Sequence, residues 1–200
     1  MKLLYIGDIS RNDAKILYNY ASQSQNILEF GCGGSTQVLA HSPANIISID
    51  TEQHWIDRTI ENISALNLKM PKFYHWKNRH TIINTLKENS IDMVFDDGNP
   101  PERKPFFDEI FKFIKVGGIL LGHDTRLESM WIYKAIHDHQ NEITTVSINE
   151  GDSNITVITK GCPRPYRNWN IDEGRENWEF SSPNKPSDWI NILRQKAVDL

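Results

Sequence analysis

The stretch Leu28 to Thr36 reads LEFGCGGST. An apolar run ends there in three glycines, at 31, 33 and 34, with an acid two residues before the first of them. Glycines after a strand allow a ligand to approach the backbone closely, although turns that bind nothing use them too. The dinucleotide fingerprint G-x-G-x-x-G is not met, because its sixth position is Thr36, and no lysine follows to complete a phosphate loop. Glu29 is the more informative residue. A carboxylate beside the turn disfavours a pyrophosphate and favours a ligand carrying an ammonium or a sulfonium. Asp50 follows about twenty residues later at the end of a second apolar run, where an acid can accept both hydroxyls of a ribose. A cationic nucleoside fits both acids.

Outward from this stretch, short apolar runs alternate with amphipathic segments. Strands are predicted at 26–30 (NILEF), 45–50 (NIISID), 72–76 (KFYHW), 91–97 (IDMVFDD) and 119–124 (ILLGHD). Helices are predicted between them: one opened by Ser35 and Thr36 as caps, one placing Trp55, Ile56, Ile60, Ile63 and Leu66 at helical spacing, one at TIINTLKE, and one at FFDEIFKFIK that stops before Gly117. A helix over 127–139 precedes two last strands, 143–148 and 154–160, joined by a turn-forming NEGDS and compatible with a hairpin. Alternation of this kind predicts an α/β fold, a mostly parallel Rossmann-like sheet with helices on both faces and ligands at the carboxyl ends of its strands. Residues 1–160 are expected to form that domain. Residues 161–200, with four prolines and Trp169, Trp178 and Trp189 among polar residues, are expected to be an irregular tail packed on it, as plain filling, a substrate lid or a contact in a homo-oligomer.

The length of 200 residues suits one compact domain. A formal net charge of -4 with interspersed signs supplies no basic stripe, which argues against bulk nucleic acid as a partner. The two cysteines, Cys32 and Cys162, offer neither a disulfide framework nor metal-ligand spacing. MKLLYIGD lacks the features of a signal peptide and no run is long enough to span a membrane, so a soluble, cytoplasmic protein is expected.

A second constellation is FDDG at 95–98 with GHDT at 122–125. If the fourth and fifth strands are neighbours, about 4.8 Å apart, Asp97 and Asp124 emerge side by side at the ligand end of the sheet. Two such carboxylates repel, and either one takes up a proton or a hard divalent cation sits between them. The plainer alternative has Asp96 or Asp97 touching the cofactor or capping the next loop, and His123 serving as a structural hydrogen-bonding residue.

Taken together, these motifs resemble the class I S-adenosylmethionine-dependent methyltransferases. The resemblance spans about residues 10–160: the Glu29-Phe-Gly31-Cys-Gly33-Gly34 turn, Asp50 in SIDTE, DMVFDDG, the fifth strand after Gly117-Gly118, and the closing antiparallel hairpin of a seven-stranded sheet. It implies that the Gly31, Cys32 and Gly33 backbone, with Ser35 and Thr36 beyond it, holds the methionine part of S-adenosyl-L-methionine. Glu29 would support the ammonium, Asp50 and Thr51 the ribose, and Asp96 would lie against the cofactor, with Asn78 to His80 near the adenine. The acids further resemble metal-dependent O-methyltransferases of the catechol and macrolide-sugar types. That resemblance implies Asp97, Asp124 and Thr125 as ligands of a magnesium ion, although the catechol type carries asparagine where Thr125 stands. It implies also catalytic roles for Asp97, Asp124 and His123, the last as a proton acceptor. The acceptor would be a small hydroxylated molecule such as a sugar, or an anionic one if Arg11, Arg79, Arg103, Arg126, Arg164 and Arg167 converge. An NAD-dependent oxidoreductase and a non-catalytic scaffold of the same fold are the rival readings.

Overall fold

The computed structural model describes residues 1–5, 7–125 and 130–163. The expectations for the tail, including its three tryptophans, Arg164 and Arg167, therefore lie outside the described residues, as does Arg126. The strands are β1 (Asn26–Phe30), β2 (Asn45–Asp50), β3 (Lys72–His75), β4 (Ile91–Asp96), β5 (Ile114–Gly122), β6 (Ile143–Ser147) and β7 (Thr156–Lys160). They form one seven-stranded sheet in the order β3-β2-β1-β4-β5-β7-β6. Pairing is parallel from β3 through β5, and β7 is antiparallel to both β5 and β6. The closing hairpin expected of the seven-stranded fold is present.

The helices are α1 (Arg11–Ala21), α2 (Gly34–Ala40), α3 (Gln53–Ala65), α4 (Arg79–Ile83), α5 (Pro100–Ile110) and α6 (Met130–Asp138). Alternation of side chains along each strand divides the core into two layers. Leu28, Phe30, Val94 and Leu120 pack with Phe106, Phe107 and Ile132 on one face. Ile27, Met93, Phe95 and Leu121 pack with Leu17, Val38, Leu39 and Ile63 on the other. By the same alternation Glu29 shares the face of Ile27 and projects into the layer of α1, α2 and α3, among apolar neighbours.

Four local expectations are corrected. Helix α1 has no counterpart in the sequence reading, yet it begins with a full capping box: Ser10 accepts from the Asp13 N–H and Asp13 from the Ser10 N–H. Ser35 and Thr36 do not stand at the N-cap of α2, which is Gly33; they lie within its first turn, where both hydroxyls donate to Glu29 and that of Thr36 also accepts from the Gly33 N–H. The TIINTLKE helix starts earlier, at Arg79, and ends at Ile83. The helix before Gly117 ends at Ile110, and Ile114 already belongs to β5. The amine of Lys160, buried on β7, donates to the carbonyls of Phe111 (3.0 Å) and Ile114 (2.9 Å), so a partner remote in sequence satisfies the chain just after the helix ends.

The sheet order reverses between β1 and β4, and the strand ends meet there closely. Gly31 stands at φ +88°, and a Cβ on it would overlap the Asp97 carbonyl oxygen. Both partners are backbone, so neither can swing away. A Gly31→Ala variant is expected to lose stability by at least about 1–3 kcal/mol, the usual range for one strained backbone site. Urea unfolding of the variant beside the wild type measures this.

Candidate active site

The turn after β1 is fixed from three directions. The Gly31 N–H donates to the Ile49 carbonyl at 2.8 Å, and the Asp97 N–H donates to the Phe30 carbonyl at 2.8 Å. Asp50, at the end of β2, accepts from the Cys32 N–H at 2.7 Å through one carboxylate oxygen and from the Glu52 N–H at 2.8 Å through the other. Each oxygen retains capacity for a further donor. Asp50 and Thr51 both border the cleft above the turn.

Glu29 lies beneath that turn, completely buried. Ser35 donates to one of its oxygens at 2.6 Å, while Thr36 (2.8 Å) and Ser48 (2.6 Å) donate to the other. Thr36 also accepts from the Gly33 N–H at 2.9 Å, linking the carboxylate to the glycine backbone through one hydroxyl. Burial pushes Glu29 up to about 7, a rise that the three hydroxyls oppose and the nearby Asp50 carboxylate reinforces. The Cys32 thiol is raised well above its usual range by burial and by the Asp50 and Glu29 carboxylates, so it is a packed thiol rather than a nucleophile.

The cleft has a volume of about 380 Å³. Its floor is Phe30 to Ser35; Asp50 to Glu52 and Trp55 border one side, and Asp97 to Pro100 with Arg103 and Asp124 the other. Tyr5, Gly7, Asp8 and Ile9 of the N-terminal segment complete the wall. Asn78 to His80, expected near a base, do not border it. Arg79 and His80 reach Glu109 on α5 instead, at 3.2 and 2.8 Å.

At the far end the two predicted acids do come together. Parallel pairing sets Asp96 opposite Gly122, so Asp97 and Asp124 leave neighbouring strands. Ligand atoms of Asp97, His123 and Asp124 all lie within 4.8 Å of one another. His123 Nδ1 is 3.0 Å from Asp97 Oδ1 and 3.5 Å from Asp124 Oδ1, while its Nε2 faces Asp13 Oδ2 on α1 at 3.5 Å. Burial would lower the imidazole's pKa, but the bond to Asp97 and the charges of Asp97, Asp124 and Asp13 outweigh it and raise His123 to about 9. Asp124 is itself raised, by burial and by Asp97, with His123 opposing. It stands at φ +55°, and the Asn154 amide donates to its Oδ1 at 2.6 Å.

Arg103 and Asp96 are both buried beside this cluster. The guanidinium donates to Asp96 Oδ1 (3.2 Å), to the Asp96 carbonyl (2.8 Å) and to the His123 carbonyl (3.0 Å), and it reaches Asp97 Oδ1 at 3.5 Å. It thereby clamps the ends of β4 and β5 together. Thr125 is placed differently from its expected neighbours: its hydroxyl is paired with that of Thr156 at 2.8 Å, inside the sheet. The arginines do not converge on an anion site among the described residues, since Arg103 serves the acids, Arg79 serves Glu109, and the cleft walls are acidic. Sequence reasoning missed Arg103, Asp13 and Asn154 as members of this cluster. Only the Ser10-x-x-Asp13 spacing gave any local signal.

The model of a methyltransferase domain matches residues 21–182, and the chain belongs to that family. It is a methyltransferase. Among solved structures, the fold matches that of the O-methyltransferase TomG from Streptomyces achromogenes, involved in tomaymycin synthesis and solved with S-adenosylmethionine (TM-score 0.62, 18% identity, 76% of this chain and 81% of that one). It also matches an O-methyltransferase from Bacillus cereus in complex with S-adenosylhomocysteine (TM-score 0.60, 18% identity, 76% and 83%). A third match is the S-adenosylhomocysteine-bound methyltransferase PaMTH1 of Podospora anserina (TM-score 0.60, 17% identity, 76% and 79%). No curated protein matches the sequence.

The position of Glu29 has a consequence for stability. Its folded pKa of about 7 lies above the ordinary carboxylate value of about 4.3, so between those limits the folded state holds a proton that the unfolded chain releases. Stability from this group is present below the lower value and declines as pH rises toward the upper one. Glu29→Gln, which carries no titrating proton, is expected to show a smaller fall in Tm from pH 5 to pH 8 than the wild type, as thermal unfolding at both pH values will measure.

Proposed function

We propose that this methyltransferase uses S-adenosyl-L-methionine to methylate an oxygen of a small hydroxylated acceptor, such as a sugar. The observation that carries the reading is the charge of the cleft. Asp8, Asp50, Glu52, Asp97 and Asp124 border it, and Arg103, the one bordering cation among the described residues, is held by Asp96 and Asp97. Such a wall repels the pyrophosphate of a nicotinamide dinucleotide and attracts a sulfonium and an ammonium. The oxidoreductase reading has no support in the cleft or among the similar proteins.

In this reading the glycine backbone from Gly31 to Gly33 holds the methionine part, and Asp50 accepts the ribose hydroxyls with the oxygen capacity its two backbone bonds leave. Glu29 acts from below, through Ser35 and Thr36, by fixing the turn. Methyl transfer is an in-line displacement, so alignment of acceptor oxygen, methyl carbon and sulfur at about 3–3.5 Å supplies much of the rate. Asp97, His123 and Asp124 stand at the acceptor end. His123, held protonated by three carboxylates, orients Asp97. Asp124, with its raised pKa and partial exposure, is the better-placed acceptor of the hydroxyl proton.

The chemistry of the donor set also suits a magnesium ion. Asp97 and Asp124 are hard oxygen donors, 24% and 33% exposed, at the border of the cleft. Thr125 does not fit the third position, because its hydroxyl is committed to Thr156. A divalent cation held by the two acids would ligate the acceptor oxygen and lower its pKa. Among the described residues no helix is long and apolar enough to cross a bilayer. A cytoplasmic setting, with both cysteines unpaired, suits a soluble acceptor.

Calorimetry is expected to show S-adenosylhomocysteine binding to the wild type and to Asp124→Asn, with binding to Asp50→Ala at least about tenfold weaker, given the strength of hydrogen bonds to a charged group. Incubation with S-adenosylmethionine and a panel of hydroxylated small molecules, with and without magnesium, is expected to release S-adenosylhomocysteine from the wild type and not from Asp124→Asn. Tight binding of NADH with no response to either sulfur compound would overturn the assignment.

A further inference from the structure

Residues before α1 stand outside every motif that defines the site, yet they form part of its wall. The buried amide of Gln37, on α2, holds them there. Its Oε1 accepts from the Leu4 N–H at 2.8 Å, and its Nε2 donates to the Tyr5 carbonyl at 2.7 Å. The two bonds reproduce a strand-like pairing of one backbone stretch with one side chain, which fixes both position and direction. His41, one helical turn further along, bonds to the Lys2 carbonyl at 2.8 Å. Gln37 is fully buried, so the amide has no solvent to fall back on if the segment leaves.

What this anchoring presents to the cleft is an aromatic face. The Tyr5 ring stacks on Trp55 of α3 with centroids 5.8 Å apart and planes 27° from parallel. The Arg58 guanidinium covers the same pair, 4.2 Å from the Tyr5 centroid and 5.4 Å from that of Trp55. Tyr5 and Trp55 both border the cleft on the side of Asp50, Thr51 and Glu52. That is the nucleoside side in the reading above, on which this inference rests. Gly7, two residues on, stands at φ +64°, where a Cβ would crowd the Tyr5 ring at 3.3 Å. The turn that brings the chain back toward α1 therefore leaves room for that ring.

We propose that the N-terminal segment is a built part of the cofactor site, in which Tyr5, stacked on Trp55 and Arg58, walls the nucleoside and Gln37 is the positioning residue that holds it. An aromatic wall recognises a flat nucleoside by stacking and by excluding water, and it leaves the sulfur end to the glycine turn. Tyr5 then selects for a nucleoside-bearing cofactor, and Gln37 acts only through Tyr5.

The test is calorimetric titration of the full chain with S-adenosylhomocysteine, with thermal unfolding of each variant run alongside. Tyr5→Ala is expected to weaken binding about tenfold, as loss of one aromatic stacking contact does, and Tyr5→Phe to bind as the wild type does. Gln37→Met, which keeps the volume and removes both hydrogen bonds, is expected to match Tyr5→Ala. The double variant is expected to be no weaker than either single one, because the two act as one unit. Wild-type binding with Tyr5→Ala within twofold of it would overturn the wall. A double variant showing the product of two independent losses would overturn the positioning role of Gln37. Absence of binding by the wild type itself would overturn the cofactor reading and this inference with it, which separates the two failures.

Discussion

The site depends on one close approach, the backbone of Gly31 against the carbonyl of Asp97. Parallel strands β1 and β4 end in register, Phe30 opposite Asp96, and both chains must turn within the space of one residue. Only a residue without a Cβ permits that, and the turn then places two things at once. It raises the glycine backbone toward the cleft on the β1 side, and it sends Asp97 out beside Asp124 on the β4 side. The glycine backbone and the Asp97–Asp124 pair are therefore brought to one cleft by sheet geometry at the reversal in strand order.

Concentrating carboxylates at such a place costs solvation and mutual repulsion, and the fold offsets this with specific partners rather than with water. Asp50 spends both oxygens on backbone N–H groups, Glu29 is met by three hydroxyls, and Asp96 is met by Arg103. His123 supplies positive charge to Asp97, Asp124 and Asp13 together. The arrangement is not fully satisfied, since Asp96 Oδ2 and His123 Nε2 have no hydrogen-bond partner among the described residues. A buried network of this kind favours one geometry strongly while adding little net stability, because desolvation consumes most of the Coulombic gain.

What the sequence disclosed follows from which features are local. The strand positions, the Gly31 turn, the acid at Asp50 and the pairing of Asp97 with Asp124 all rest on short apolar runs whose order dictates a parallel sheet. Local patterning failed where a distant partner decides. The helix before β5 stops at Ile110, with Lys160 of the neighbouring but sequence-remote β7 bonding the carbonyls just beyond it, and no feature near Ile110 announces this. Ser35 and Thr36 have the composition of helix caps, but they stand inside the first turn of α2, where Glu29, buried by strand alternation, draws both hydroxyls. Thr125 stands beside Asp124 in sequence but faces Thr156, since β5 has ended at Gly122 and the left-handed backbone of Asp124 turns the chain. In sequence Arg103 is only one of several arginines available to an anionic acceptor, and its burial depends on Asp96 and the His123 carbonyl, residues that meet only once β4 and β5 pair.

The position of Glu29 explains how an acid can matter to a cationic ligand without touching it. Its carboxylate reaches the glycine turn through Thr36, whose single hydroxyl donates downward to Glu29 and accepts from the Gly33 N–H above. An ionised Glu29 strengthens its acceptance of the Thr36 proton, and that polarises the hydroxyl oxygen toward its own donor at Gly33. The turn is thereby held more firmly when the acid is charged. A positive ligand in the cleft favours the charged form by Coulomb attraction across a few ångströms of low-dielectric protein. In the proposed reading a positive ligand and an ionised Glu29 would therefore support one another, and the raised pKa of Glu29 leaves room for that coupling.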